Sequence, residues 1–230
     1  MSYSVTTLDG DPKPRRLPAR ELDAIEIRIL GSLMEKQLTT PETYPLTVNS
    51  LVAACNQKSN REPVMELSEN DVQHALDRLQ EERLVWKVLS SRATRWDHNA
   101  DREWQLDRPA KAVTTLLFLR GPQTFGELRG RSDRLHSFES IADVEATLHR
   151  LAGSESPMVR ELPRRPGQKE TRWVHLLSRE VAAEEETNLP LPSQASSVAS
   201  ETMSVRVQRL EDQVAHLKTE LRDFKAKLGE

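Results

Sequence analysis

Cysteine is almost missing from this chain: Cys55 is the single one in 230 residues, which excludes an internal disulfide and any zinc site built on paired thiolates. Aromatic residues make up only 4%, and no apolar run approaches the ~18 residues that a membrane span needs. The chain therefore reads as a soluble protein. Its opening stretch, Met1 to Gly10, lacks a basic-then-apolar signal peptide, so the expected compartment is the cytoplasm. Also absent are Gly-x-Gly-x-x-Gly, the phosphate-cradling Gly-x-x-x-x-Gly-Lys and His-Glu-x-x-His. The six histidines, His74, His98, His136, His149, His175 and His216, are scattered along the chain. No catalytic residue, metal-ligand set or cofactor is expected, and the chain does not read as an enzyme.

What is present sorts by composition. Residues 1–19 combine Pro12, Pro14 and Pro18 with Lys13, Arg15 and Arg16, and read as a flexible arm. Residues 20–108 and 109–179 are globular in pattern, whereas 180–202, with Glu184 to Glu186 and four serines, read as a disordered linker. From Met203 the apolar residues fall at Val207, Leu210, Val214, Leu217, Leu221, Phe224 and Leu228. Their unbroken 4-3 spacing keeps one seam on a helix and predicts a coiled coil over 203–229. With Leu210, Leu217 and Phe224 at d, Arg206 and Glu220 at g would face Glu211 and Lys225 at e of a parallel partner. A homodimer through this helix is favoured over an amphipathic helix folded back on its own domain.

The two globular zones resemble each other. Ser68 to Leu79 aligns without gaps, 72 residues on, with Ser140 to Leu151, and six of the twelve positions are identical. Thr94-Arg95-Trp96-Asp97-His98 then matches Thr171-Arg172-Trp173-Val174-His175, at an offset of 77. One unit has thus been used twice. In the first copy, Leu22, Ile25, Ile29, Leu30, Leu33 and Met34 predict one helix, Val48 to Cys55 a second, and Val72, Leu76 and Leu79 a third with Ser68 as N-cap. Leu84 to Val88 and Arg95-Trp96 then predict two short strands. The second copy repeats this with Ala112 to Leu119, Phe125 to Arg129, Ser140 to Leu151 and a hairpin between Met158 and Leu177. The expected fold is mainly α with small β-hairpins (α+β): two tandem winged-helix domains, each a helix-turn-helix with a hairpin wing, plus the C-terminal helix. Cys55, Trp96 and Trp173 are expected in the cores.

The run Leu33-Met-Glu-Lys-Gln37 to Asn49, followed by Ala54-Cys-Asn-Gln-Lys-Ser-Asn-Arg-Glu-Pro-Val64, resembles the bacterial YceH-like family of uncharacterised proteins. The likeness extends to Leu119-Arg-Gly-Pro-Gln-Thr-Phe-Gly-Glu-Leu-Arg129 and to Pro166 to Glu170. It covers about residues 20–179 and the C-terminal helix. The resemblance implies tandem winged helices and no established activity.

Charge separates the functional readings. Residues 20–108 carry 12 basic and 16 acidic side chains, whereas 109–179 carry 12 basic and 8 acidic. The third helix of such a unit would enter the major groove, yet Glu69, Asp71, Asp77, Glu81 and Glu82 crowd the first copy and Glu139, Asp143 and Glu145 the second. The second wing points the other way: Arg160, Arg164, Arg165, Lys169 and Arg172 cluster there and form the candidate nucleic-acid contact. Two partners follow. Duplex DNA, bound through the second wing by a regulator, is weakly favoured; a basic protein, bound by acidic helix faces of an interaction scaffold, is the alternative. The stretch Asn56, Gln57, Lys58, Asn60, Arg61 and Glu62 has no counterpart in the second copy. It is either a site for a peptide or nucleotide or a buried polar network that fixes the loop. The structural reading is favoured because Asn readily bonds irregular backbone.

Overall fold

The computed structural model describes residues 15–89, 93–164, 167–168 and 170–178. The C-terminal heptads, with Val207, Leu210, Val214, Leu217, Leu221 and Phe224, and the linker at 180–202 lie outside the described residues.

Helix α1 (Ala24–Thr39) opens on a capping box in which Asp23 accepts from the Glu26 backbone and Glu26 accepts from Asp23. A 3-10 turn, Pro41–Thr43, leads to α2 (Val48–Cys55), capped by Thr47. Helix α3 (Glu69–Glu81) starts from a capping box of Ser68 and Asp71. Strands β1 (Val85–Leu89) and β2 (Thr94–His98) pair antiparallel, with Lys87 opposite Trp96. After a single turn of helix, α4 (Ala100–Glu103), the order recurs: α5 (Arg108–Arg120), α6 (Phe125–Ser132), α7 (Ile141–Ala152) and the antiparallel pair β3 (Val159–Leu162) and β4 (Arg172–His175). The described chain is thus mixed, with seven helices and two small hairpins. None of these helices is long and apolar enough to cross a membrane.

The repeated sequence blocks have a local meaning. Ser140 and Asp143 rebuild at α7 the capping box that Ser68 and Asp71 form at α3. Trp96 bridges to Leu46 and Trp173 to Gln123, so each hairpin takes a third segment from the turn before its second helix. Both indoles are buried, as is Cys55.

The two copies share one core. Helix α1 is buried continuously from Glu26 to Glu35 and α5 from Ala110 to Leu119, because these two helices pack on each other as well as on their own units. The fit depends on Gly31: a Cβ there would lie 2.9 Å from Leu119 Cδ2 and 3.0 Å from Phe118 Cβ. Two backbone bonds cross between the copies, Glu62 N to Leu119 O at 2.8 Å and Leu22 N to Leu177 O at 2.8 Å. The arm expected over residues 1–19 is described only from Arg15, and from there the chain is held. Arg15 donates to Ser154 Oγ at 2.8 Å, Arg16 N to Glu103 O at 2.9 Å and Ala19 N to Glu82 Oε2 at 3.0 Å.

Candidate functional site

The third helix of each copy keeps its carboxylates outside and turns an arginine onto carboxylates elsewhere in the fold. On α3, Glu69, Asp71, Asp77 and Glu81 are exposed, while Arg78 reaches back to Asp23 and, at 3.2 Å, to Glu26 Oε1. Glu26 is buried under Arg78 and Arg20, the latter at 2.6 Å. Burial pushes its carboxyl up, but the Arg20 bond, the Asp23 amide and both guanidiniums leave it below its usual value. On α7, Glu145 pairs with His149 at 3.6 Å and Arg150 turns to Asp107 at 2.7 Å. A phosphate row brought against either helix would meet uncompensated carboxylates.

The second hairpin differs. Arg160 and Arg164 are exposed on it, and Arg172, half-buried on β4, donates from Nε and Nη2 to Gln168 Oε1 at 3.3 Å. Strand register puts Arg160 opposite Val174 and Leu162 opposite Arg172, so the two arginines lie diagonally on one face of the hairpin. Arg165 and Lys169 lie outside the described residues.

The loop after α2 is a bonded network. Arg61, nearly fully buried, donates to Ala54 O at 3.1 and 2.9 Å, to Asn60 O at 2.9 Å and to Glu35 Oε2 at 2.6 Å. Burial pushes the Glu35 carboxyl up, and the Arg61 guanidinium more than reverses it, leaving the group below its ordinary range. Arg61 thus pairs with Glu35 rather than with its neighbour Glu62, whose amide holds Leu119 O. Arg28 donates to Cys55 O at 3.2 Å and Pro63 O at 2.6 Å, so two arginines satisfy the last carbonyls of α2. Asn56 exchanges two 2.9 Å bonds with the backbone of Leu67, and Gln57 accepts from Lys36 at 3.4 Å. Asn60, at φ 60°, occupies the left-handed region that Asn tolerates and accepts from Arg120. Lys58 is exposed.

A second buried polar cluster carries no sequence signal, because its members come from four separate elements. His98 Nε2 lies 3.0 Å from Gln37 Oε1, and Lys111 bonds the same oxygen and, at 3.0 Å, Asp101 Oδ2. Burial and then Lys111 hold His98 far below its ordinary pKa, so it is neutral. His175, its counterpart in the second copy, is held down to about 4 by burial alone. Rather than facing one another, the two imidazoles finish separate hairpins. Among the described residues, no three His, Cys, Asp or Glu side chains gather as a metal site would require.

A family model described as "Protein of unknown function, DUF480" matches residues 22–168. A UPF0502 protein of Paraburkholderia phymatum is 45% identical over 224 residues, covering 94% of each chain. A UPF0502 protein of Shewanella loihica is 46% identical over 90% of this chain and all of its own, and one of Chromobacterium violaceum is 45% identical over 88% and 90%. With the family model spanning both copies of the repeat and relatives alike along nearly their whole length, the chain belongs to the DUF480 family of bacterial UPF0502 proteins.

Proposed function

We propose that this protein is a non-enzymatic, DNA-associated regulator made of two tandem winged helices, and that it meets the duplex through its second wing. The observation that carries the reading is the division of charge. Exposed carboxylates, Glu69, Asp71, Asp77 and Glu81, line the third helix of the first copy, whereas exposed Arg160 and Arg164 lie on the second hairpin, in the copy with 12 basic against 8 acidic residues. Backbone phosphate contact through a wing needs such cations and tolerates acidic third helices only if these stay out of the groove. The 4-3 heptads of residues 203–229 support a parallel homodimer, which would present two such wings to one duplex.

The test is a titration of random duplex binding against salt. Affinity is expected to fall steeply with salt, and Arg160→Ala with Arg164→Ala to lower the slope of log K against log salt by about two. Absence of binding at low salt, or an unchanged slope, would defeat the reading. The exposed carboxylates of α3, Glu69, Asp71, Asp77 and Glu81, specifically favour a second reading, a scaffold that binds a basic protein.

A further inference from the structure

Where the two copies meet, a cavity of about 540 Å³ is lined by four guanidiniums, Arg28, Arg120, Arg131 and Arg172, against two carboxylates, Glu62 and Glu127. These groups converge from α1, the loop before α3, α5, α6 and β4, so only the packing of one copy on the other assembles them. Both carboxylates leave cation in excess. Glu127 pairs through Oε1 with Arg131 at 3.1 Å and accepts through Oε2 from the Thr124 amide at 2.9 Å, which leaves Arg28, Arg120 and Arg172 against Glu62. Arg28 is 1% exposed, and although its two terminal nitrogens are bonded, its buried Nε has no partner. Burial and then the nearness of Arg131 lower the pKa of Arg120, with Glu62 and Glu127 acting the other way. His175 also lines the cavity and, being neutral at pH 7, adds nothing to this excess.

Apart from Ser178, the remaining wall residues are apolar. Ile27, Leu117 and Phe118 are buried side chains, and Phe118 meets His175 edge-on with ring centroids 5.0 Å apart. A site with an apolar wall and several convergent guanidiniums suits a ligand with a flat apolar body and one acidic head, because guanidinium forks match carboxylate and phosphate oxygens.

We propose that this cavity binds a small aromatic anion, with its carboxylate or phosphate held by Arg120 and Arg172 beside Arg131 and its ring laid on Met65 and Phe118. Arg172 is common to this cavity and the second wing, but Arg160 and Arg164 do not line the cavity, so their substitution tests the wing reading without touching this one.

Calorimetric titration of the full chain with phenyl phosphate, benzoate, inorganic phosphate and benzylamine tests it. At least one of the two aromatic anions should saturate at one per chain, while benzylamine should not bind and inorganic phosphate should bind at least tenfold more weakly. Arg120→Gln and Arg172→Gln, each with an unchanged melting temperature when unliganded, should weaken the aromatic anion at least tenfold. Ligand-induced NMR shifts at the Met65 methyl and the Phe118 ring locate the ligand without any variant. Lack of saturable binding by both aromatic anions, shifts that avoid Met65 and Phe118, equal binding of inorganic phosphate, or full affinity in a folded variant would each overturn the assignment.

Discussion

Two carbonyls and one carboxylate converge on Arg61, whose side chain has no exposed surface. Truncating it leaves Glu35 charged, mostly buried and without its fork. Arg61→Ala should therefore cost about 3–5 kcal/mol in chemical denaturation. Adding Glu35→Gln should recover part of that loss, whereas Arg61→Lys should recover little, because an ammonium cannot reach both carbonyls and carboxylate in one plane. His175 supports a prediction in pH. Burial holds it near 4 in the folded chain against an ordinary 6.5, so below pH 6.5 the unfolded chain binds a proton that the folded chain refuses. Stability present at neutral pH is thus lost as pH falls from 6.5 towards 4, by about 2 kcal/mol at pH 5 for this one group. His98, lowered in the same direction, adds to the loss. In His175→Leu the difference in unfolding free energy between pH 7 and pH 5 should shrink by about 2 kcal/mol; an unchanged difference would refute the account.

At the scale of elements, α1 and α5 touch through a glycine. Gly31→Val places two methyls where a Cβ alone already comes within 3.0 Å of Phe118 Cβ, and overpacking should cost about 1–3 kcal/mol. Gly130, on α6, has nothing within 4 Å of the corresponding position, and Gly130→Ala should stabilise by up to about 1 kcal/mol through helix propensity. Melting both variants side by side checks the assignment of sign. The elements themselves were legible. Period-3.6 runs over Leu22 to Met34 and Val72 to Leu79, and the shift to short strands at Leu84, locate α1, α3 and β1 to within a few residues. The contact between α1 and α5 was not legible, because Glu26, Arg28 and Glu35 break the apolar pattern of α1 although all three are buried. Their charges are met by Arg20, Arg78 and Arg61 and by carbonyls of the loop, partners that spacing along the chain cannot name. The cavity was not legible for the same reason: Arg172 reads as part of the second wing, and it meets Arg28, Arg120 and Arg131 only after the copies pack.

For the whole molecule, the shared core predicts shared unfolding. Core side chains of both copies form a single cluster, and Leu117 and Leu30 belong to it equally. Urea unfolding followed by circular dichroism and by tryptophan emission should give coincident transitions, although Trp86, Trp96 and Trp104 report on the first copy and Trp173 on the second. Two separated transitions would mean that the helix α1 to α5 interface contributes little. The charge asymmetry belongs to this scale as well, since only the second copy carries more basic than acidic residues.

The bond from Leu22 N to Leu177 O joins the first residue before α1 that enters the core to one just past β4. That clasp ties the start of the first copy to the finish of the second, so loosening either edge of the duplicated body releases its counterpart as well.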